Sequence, residues 1–115
     1  MVANVLLKNT DDHARNHAMI FDISQNKWRL APAFDVLPSL GSQGEQALGI
    51  GCDGRKSTIN NLLTASSAFG LSNEQALERI NTMKAMILEW EHHFAKCGIS
   101  TVDLKLLKVI MHDFN

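Results

Sequence analysis

The stretch "SNEQALERINTMKAMILEWEHHF", residues 72–94, decides the fold class. Ser72 followed three positions later by Gln75 is a capping box: each side chain can satisfy a backbone N–H that the first helical turn leaves unpaired. Beyond it, Leu77, Ile80, Met83, Ile87, Trp90 and Phe94 recur at three- and four-residue spacing, the period of one helix face. The pattern predicts a long helix closed by Gly98. Ser100 with Asp103 then opens a last helix carrying Val102, Leu106, Val109 and Ile110. Upstream, "STINNLLTASSAFG", residues 57–70, predicts another helix ending at Gly70. The C-terminal two-thirds therefore reads as a small helical bundle.

Towards the N-terminus the period changes. "AMIFDIS", the turn residues "QN" and "KWRLA" (residues 18–31) read as two strands of a β-hairpin. Pro32 ends the second strand, because proline cannot donate to a strand ladder. "AFDVLP" becomes a tight connection, and residues 39–54 a loop with a short strand at "ALGIG". Residues 2–8 are apolar and read as the tail of a helix. Trp28, Trp90 and the methionines are expected in the core.

Bulk properties limit the function. The 115 residues form one domain, residues 1–115, with 45% hydrophobic side chains to build a core. A net charge of -1 with 20% charged residues is no footprint for nucleic acid or an anionic membrane. Cys52 and Cys97 lie far apart without a C-x-x-C, which fits a reducing compartment. No apolar run approaches the roughly 18–20 residues of a membrane span. The expectation is a soluble, cytoplasmic, mainly α domain with an N-terminal loop and one hairpin.

That loop, "NTDDHARN", residues 9–16, carries the chemistry. Asp11 and Asn16 have the D-x-x-x-x-N spacing of a phosphoryl-transfer loop. There the Asp orients the acceptor hydroxyl and takes its proton, and the Asn amide oxygen binds magnesium. Magnesium prefers hard oxygen ligands, so such a site needs a further carboxylate. Asp35, in "AFDVL" just after the hairpin, supplies one. The order catalytic loop, hairpin, metal-binding Asp is that of a kinase.

Three blocks, "NTDDHARNHAMIFD", "WRLAPAFDVLPS" and "ALGIGCDGRKSTINNLLTASSAFGLS", resemble the C-terminal part of HipA-type serine/threonine kinases, the toxins of bacterial toxin–antitoxin persistence modules. The similarity runs over roughly residues 2–95. D-x-H-x-x-N is also similar to lipid-kinase-like catalytic loops. The resemblance implies part of a kinase C-lobe and a protein kinase that uses ATP and Mg²⁺ to phosphorylate a protein Ser or Thr. It implies Asp11 as the catalytic base, Asn16 and Asp35 as metal ligands facing the cofactor, and His13 as a positioning residue at the cofactor site. Asp12 stands where some members have Gly and receives no role. A DNA-binding antitoxin is the partner the family implies. A kinase nucleotide lobe does not fit in the ten residues before Asp11. The expectation is accordingly a C-terminal fragment, inactive alone, whose apolar Val2, Val5, Leu6, Met19 and Phe21 face a missing lobe or support a homo-oligomer.

Other readings compete. "GIGCDG", residues 49–54, matches G-x-G-x-x-G, but no parallel strand follows it, and a kinase glycine loop would precede the catalytic loop. It is expected to be a plain connection, with Arg55 and Lys56 at a solvated helix entrance. His13, His17, Asp11, Asp12 and Asp35 offer donors for a transition metal, but no H-E-x-x-H supports them. His92 and His93 diverge around their helix and cannot share one ion. The remaining alternative is a non-catalytic domain that binds an antitoxin or kinase partner.

Overall fold

A computed structural model describes residues 1–39 and 44–111. It is mainly helical with one antiparallel hairpin, as expected. Helix α1 (Val2–Leu6) leads into a 3-10 turn at Ala14–Asn16, then strands β1 (Met19–Asp22) and β2 (Lys27–Leu30). Helix α2 (Ile59–Thr64), a second 3-10 turn (Ser66–Phe69) and helices α3 (Asn73–Leu88), α4 (Trp90–Lys96) and α5 (Thr101–Met111) complete the chain.

The core forms where α1 and α2 pack against α3. Val5, Ile50, Leu62 and Ile80 are buried together, with Val2, Ile59 and Leu63 against them. Each fully buried aliphatic side chain contributes about 1.5–3 kcal/mol. Val5 and Leu6 thus lie in the interior rather than facing another lobe.

The capping box forms as read. Ser72 Oγ accepts from the Gln75 amide at 3.2 Å, and Gln75 Oε1 accepts from the Ser72 amide at 3.0 Å. Ser100 Oγ accepts from the Asp103 amide at 3.1 Å at the start of α5. The side chain of Ile110, assigned to the apolar face of α5, lies outside the described residues, as do residues 40–43 of the 39–54 loop.

Three expectations about elements change. The helix over 57–70 is two pieces. It stops at Thr64, Ala65 leaves helical geometry (φ -94, ψ 0), and a 3-10 turn continues to Gly70 (φ 67). There Ser66 Oγ donates to Asn73 Oδ1 at 2.6 Å, tying the turn to the start of α3. The long helix also divides, at Glu89 (φ -89, ψ 13), so Trp90 and Phe94 belong to α4 and pair edge-to-face at 5.5 Å. No strand forms at "ALGIG": Ile50 drops into the core, and Gly51 bridges Gly54 in a tight turn.

The hairpin register pairs Met19 with Leu30 and Phe21 with Trp28. Its loop is pinned by Asp22, whose Oδ1 accepts from Ser24 Oγ (2.6 Å) and the Gln25 amide (3.2 Å). The Ser24 hydroxyl above all, then the Gln25 and Ser24 amides, holds the Asp22 carboxyl below the ordinary carboxylate range. The expectation that Trp28 is core fails. Trp28 is 64% exposed and Met19 is exposed as well, because nothing among the described residues covers the hairpin's apolar face; Met86, on α3, is exposed too.

Candidate functional site

Residues 9–16 are held from several directions. Asn9 is buried, and its Nδ2 donates both to Asn4 Oδ1 (3.2 Å) and to the main-chain carbonyl of Asp35 (3.3 Å). The Ser39 amide donates to the Lys8 carbonyl at 3.2 Å, and the Ala47 amide to the Thr10 carbonyl at 2.9 Å. The segment that carries Asp35 is therefore strapped to the residues just before Asp11. Sequence alone brings these segments only to within a hairpin's length; the Asn9 amide brings the Asp35 backbone to the loop itself.

Asp35 sits in the left-handed region at φ 56. A non-glycine residue there costs roughly 1 kcal/mol and persists where the surroundings impose it, commonly at functional sites. Asp tolerates the conformation better than most residues. The Asp11 and Asp35 residues are exposed, and among the described residues neither carboxylate is engaged by a hydrogen bond or ion pair.

Asn16 closes the 3-10 turn and is buried; its amide donates to the His13 carbonyl at 2.9 Å. His13 precedes the turn in extended conformation (φ -113, ψ 172), and its Nδ1 is buried without a hydrogen-bond partner among the described residues. A buried polar atom without a partner is unusual in a folded chain and calls for an explanation. Carboxylate and amide oxygens are hard donors, of the kind Mg²⁺ prefers over softer ions.

Two residues outside the expected catalytic set belong to this loop. Asp12, given no role by sequence, is buried, and its Oδ1 lies 2.9 Å from His17 Nε2. Asn9 is the other. The sequence held one signal for the pair: Asp12 and His17 have the same five-residue offset as Asp11 and Asn16, shifted by one. Nothing in the sequence indicated that Asn9 would bridge to Asp35, since that contact depends on closing the chain across the hairpin.

The competing sites fare differently. Among the described residues no three His, Cys, Asp or Glu side chains gather as a metal centre would require. The "GIGCDG" amides are spent inside the protein: Cys52 N–H donates to Thr64 Oγ1 (2.8 Å), Asp53 N–H to Asn61 Oδ1 (2.9 Å) and Gly54 N–H to the Gly51 carbonyl (3.0 Å). A phosphate loop needs such amides free. Gly51 is required by close approach instead, because a Cβ there would overlap Asn61 and Thr64 on α2. Arg55 pairs with Glu45.

Comparison with known proteins follows the same lines. A family model described as the HipA-like C-terminal domain matches residues 1–90. The match takes in the strapped loop, the hairpin, Asp35 and all of α3. No curated protein and no solved structure matches. No helix among the described residues is long and apolar enough to cross a membrane.

Proposed function

The chain belongs to the HipA-like C-terminal domain family, and from that premise we propose that it is the C-terminal portion of a cytoplasmic serine/threonine protein kinase, acting on a protein Ser or Thr in the company of an ATP-binding lobe. The observation that carries this reading is the strapping of the Asp35 backbone onto Asn9, two residues before Asp11. It gives a metal-binding Asp and a catalytic loop a common base.

In this reading Asp11 orients the acceptor hydroxyl and accepts its proton. Asn16, through its amide oxygen, and Asp35, through its carboxylate, hold Mg²⁺. His13 lines the cofactor side of the loop with its orphaned Nδ1. Magnesium-bound ATP, when present, supplies the transferable phosphoryl group, with its charge partly neutralised. An antitoxin protein is the partner this family reading favours.

A direct test is an NMR titration with Mn²⁺ as a paramagnetic stand-in for magnesium. Amide signals of residues 11, 16 and 35 should broaden first, and Asp35→Asn should weaken that broadening at equal Mn²⁺. Broadening centred elsewhere, or unchanged by Asp35→Asn, would remove the basis of the reading. One observation favours a second reading, a non-catalytic interaction domain or self-associating chain: Met19, Phe21, Trp28 and Leu30 lie exposed on paired strands. An apolar surface of that kind commonly marks a protein contact. Retained partner or self-association by a chain that shows no Mn²⁺ site would favour it.

A further inference from the structure

Resting on the reading above, we infer that Asp12 and His17 form a positioning clasp that fixes the offset between Asp11 and Asn16. Asp12 Oδ1 and His17 Nε2 meet at 2.9 Å. Between them lies the 3-10 turn Ala14–Asn16, bracketed by extended residues on both sides: His13 at φ -113, ψ 172 and His17 at φ -125, ψ 130. Backbone bonds inside the turn are few: the Asn16 amide to the His13 carbonyl at 2.9 Å and the His17 amide to the Ala14 carbonyl at 3.4 Å. A single 3-10 turn with one good and one long bond does not by itself hold its flanks.

The clasp supplies the missing constraint. Asp11 is bonded to Asp12, and Asn16 to His17. Tying positions 12 and 17 therefore ties positions 11 and 16 through one peptide unit on each side, and peptide units are rigid.

The burial is asymmetric, and this bears on strength. The Asp12 side chain is 12% exposed while that of His17 is 43% exposed. A carboxylate withdrawn from water is costly unless a donor meets it, so Asp12 favours the closed arrangement. Asp12 and His17 are thus positioning residues rather than catalytic ones.

The test separates the clasp from the metal reading. Metal-free, amide exchange at Asn16 and His17 and ¹⁵N order of residues 13–16 are compared between the native chain and His17→Ala. Loss of this half-exposed contact predicts several-fold faster exchange, confined to the turn. His17→Gln, whose amide N–H reaches a similar position, should recover most of the loss. Because His17→Ala strands a buried carboxylate, the double variant Asp12→Asn with His17→Ala removes the charge together with the clasp and should show the same loosened turn in a folded chain. Unchanged order at Asn16 in the folded double variant, or no recovery by His17→Gln, overturns the clasp. With Mn²⁺ as probe, the variants lacking the clasp should need several-fold more Mn²⁺ to broaden residues 11 and 16. A native chain in which Mn²⁺ leaves residues 11, 16 and 35 untouched refutes the metal reading alone, since the metal-free measurements still decide whether the turn is clasped.

Discussion

Replacing Asn61 by alanine should cost about 3 kcal/mol, and the figure follows from a bond-by-bond account. Asn61 is 0% exposed. Its Nδ2 donates to the carbonyls of Gly54 (3.1 Å) and Lys56 (2.8 Å), and its Oδ1 accepts from the Asp53 amide (2.9 Å). Alanine deletes all three bonds. Both carbonyls nevertheless keep a second donor, the Ile50 amide on Gly54 at 2.9 Å and the Thr58 amide on Lys56 at 3.0 Å. The Asp53 amide loses its partner, but Asp53 is exposed, so water replaces it. The loss is therefore three net bonds of about 1 kcal/mol each rather than three desolvation penalties. With the unfolding entropy scaled to 115 residues, about 0.24 kcal/mol/K, Tm falls by roughly 12 °C. Calorimetry and urea unfolding measure both quantities. Asn61→Asp should be worse than alanine, because an acceptor then faces two carbonyls. A loss under about 1 kcal/mol for alanine, or an aspartate as stable as the native chain, would refute the claim that this amide organises the 51–56 turn.

Other outcomes follow from single features. Ser72→Ala removes half of the capping box on α3 and should cost about 1 kcal/mol by urea unfolding, with Gln75→Ala partly overlapping it; additive losses would argue against the reciprocal bonds. Trp28 is exposed and Trp90 half-buried, so acrylamide should quench Trp28 emission far more strongly, and Trp28→Phe should remove the quenched component while changing stability by no more than about 0.5 kcal/mol. Equal quenching of both tryptophans would contradict the open hairpin. The depressed Asp22 carboxyl gives a sign for pH: its folded value lies below the unfolded one, so its contribution to the hairpin loop is present above the ordinary carboxylate value and is lost as pH falls through the folded one. The Gln25 amide shift should follow that acid-side midpoint, and Ser24→Ala should move it upward; a midpoint unmoved in that variant would rule out the hydroxyl as the leading cause.

Local chemistry was the most legible part of the sequence. The Ser72–Gln75 box, the Ser100 cap, the hairpin and the Gly70 terminus are each specified by residues within one turn, and each forms. The interruptions at Ala65 and Glu89 were not legible. The apolar period runs through both without glycine or proline, and the break at Ala65 accompanies a tertiary bond from Ser66 to Asn73. Trp28 misled because aromatic residues at strand spacing imply a covered face, and a two-stranded ribbon covers nothing by itself. At the candidate site, spacing singled out Asp11, Asn16 and Asp35. It missed Asn9 and Asp12, whose importance rests on burial and on partners that adjacent residues do not reveal.

The straps on the loop also set an order of events in time. The bond from Asn9 to Asp35 closes 26 residues of chain, and those from Ser39 to Lys8 and from Ala47 to Thr10 close longer spans. Closing spans of this length costs entropy before any contact returns it, whereas helices such as α3 nucleate from neighbours. Residues 9–16 should accordingly gain their native arrangement late in folding, after the helices have formed, so a nascent chain carries its candidate site side chains unassembled until its scaffold is complete.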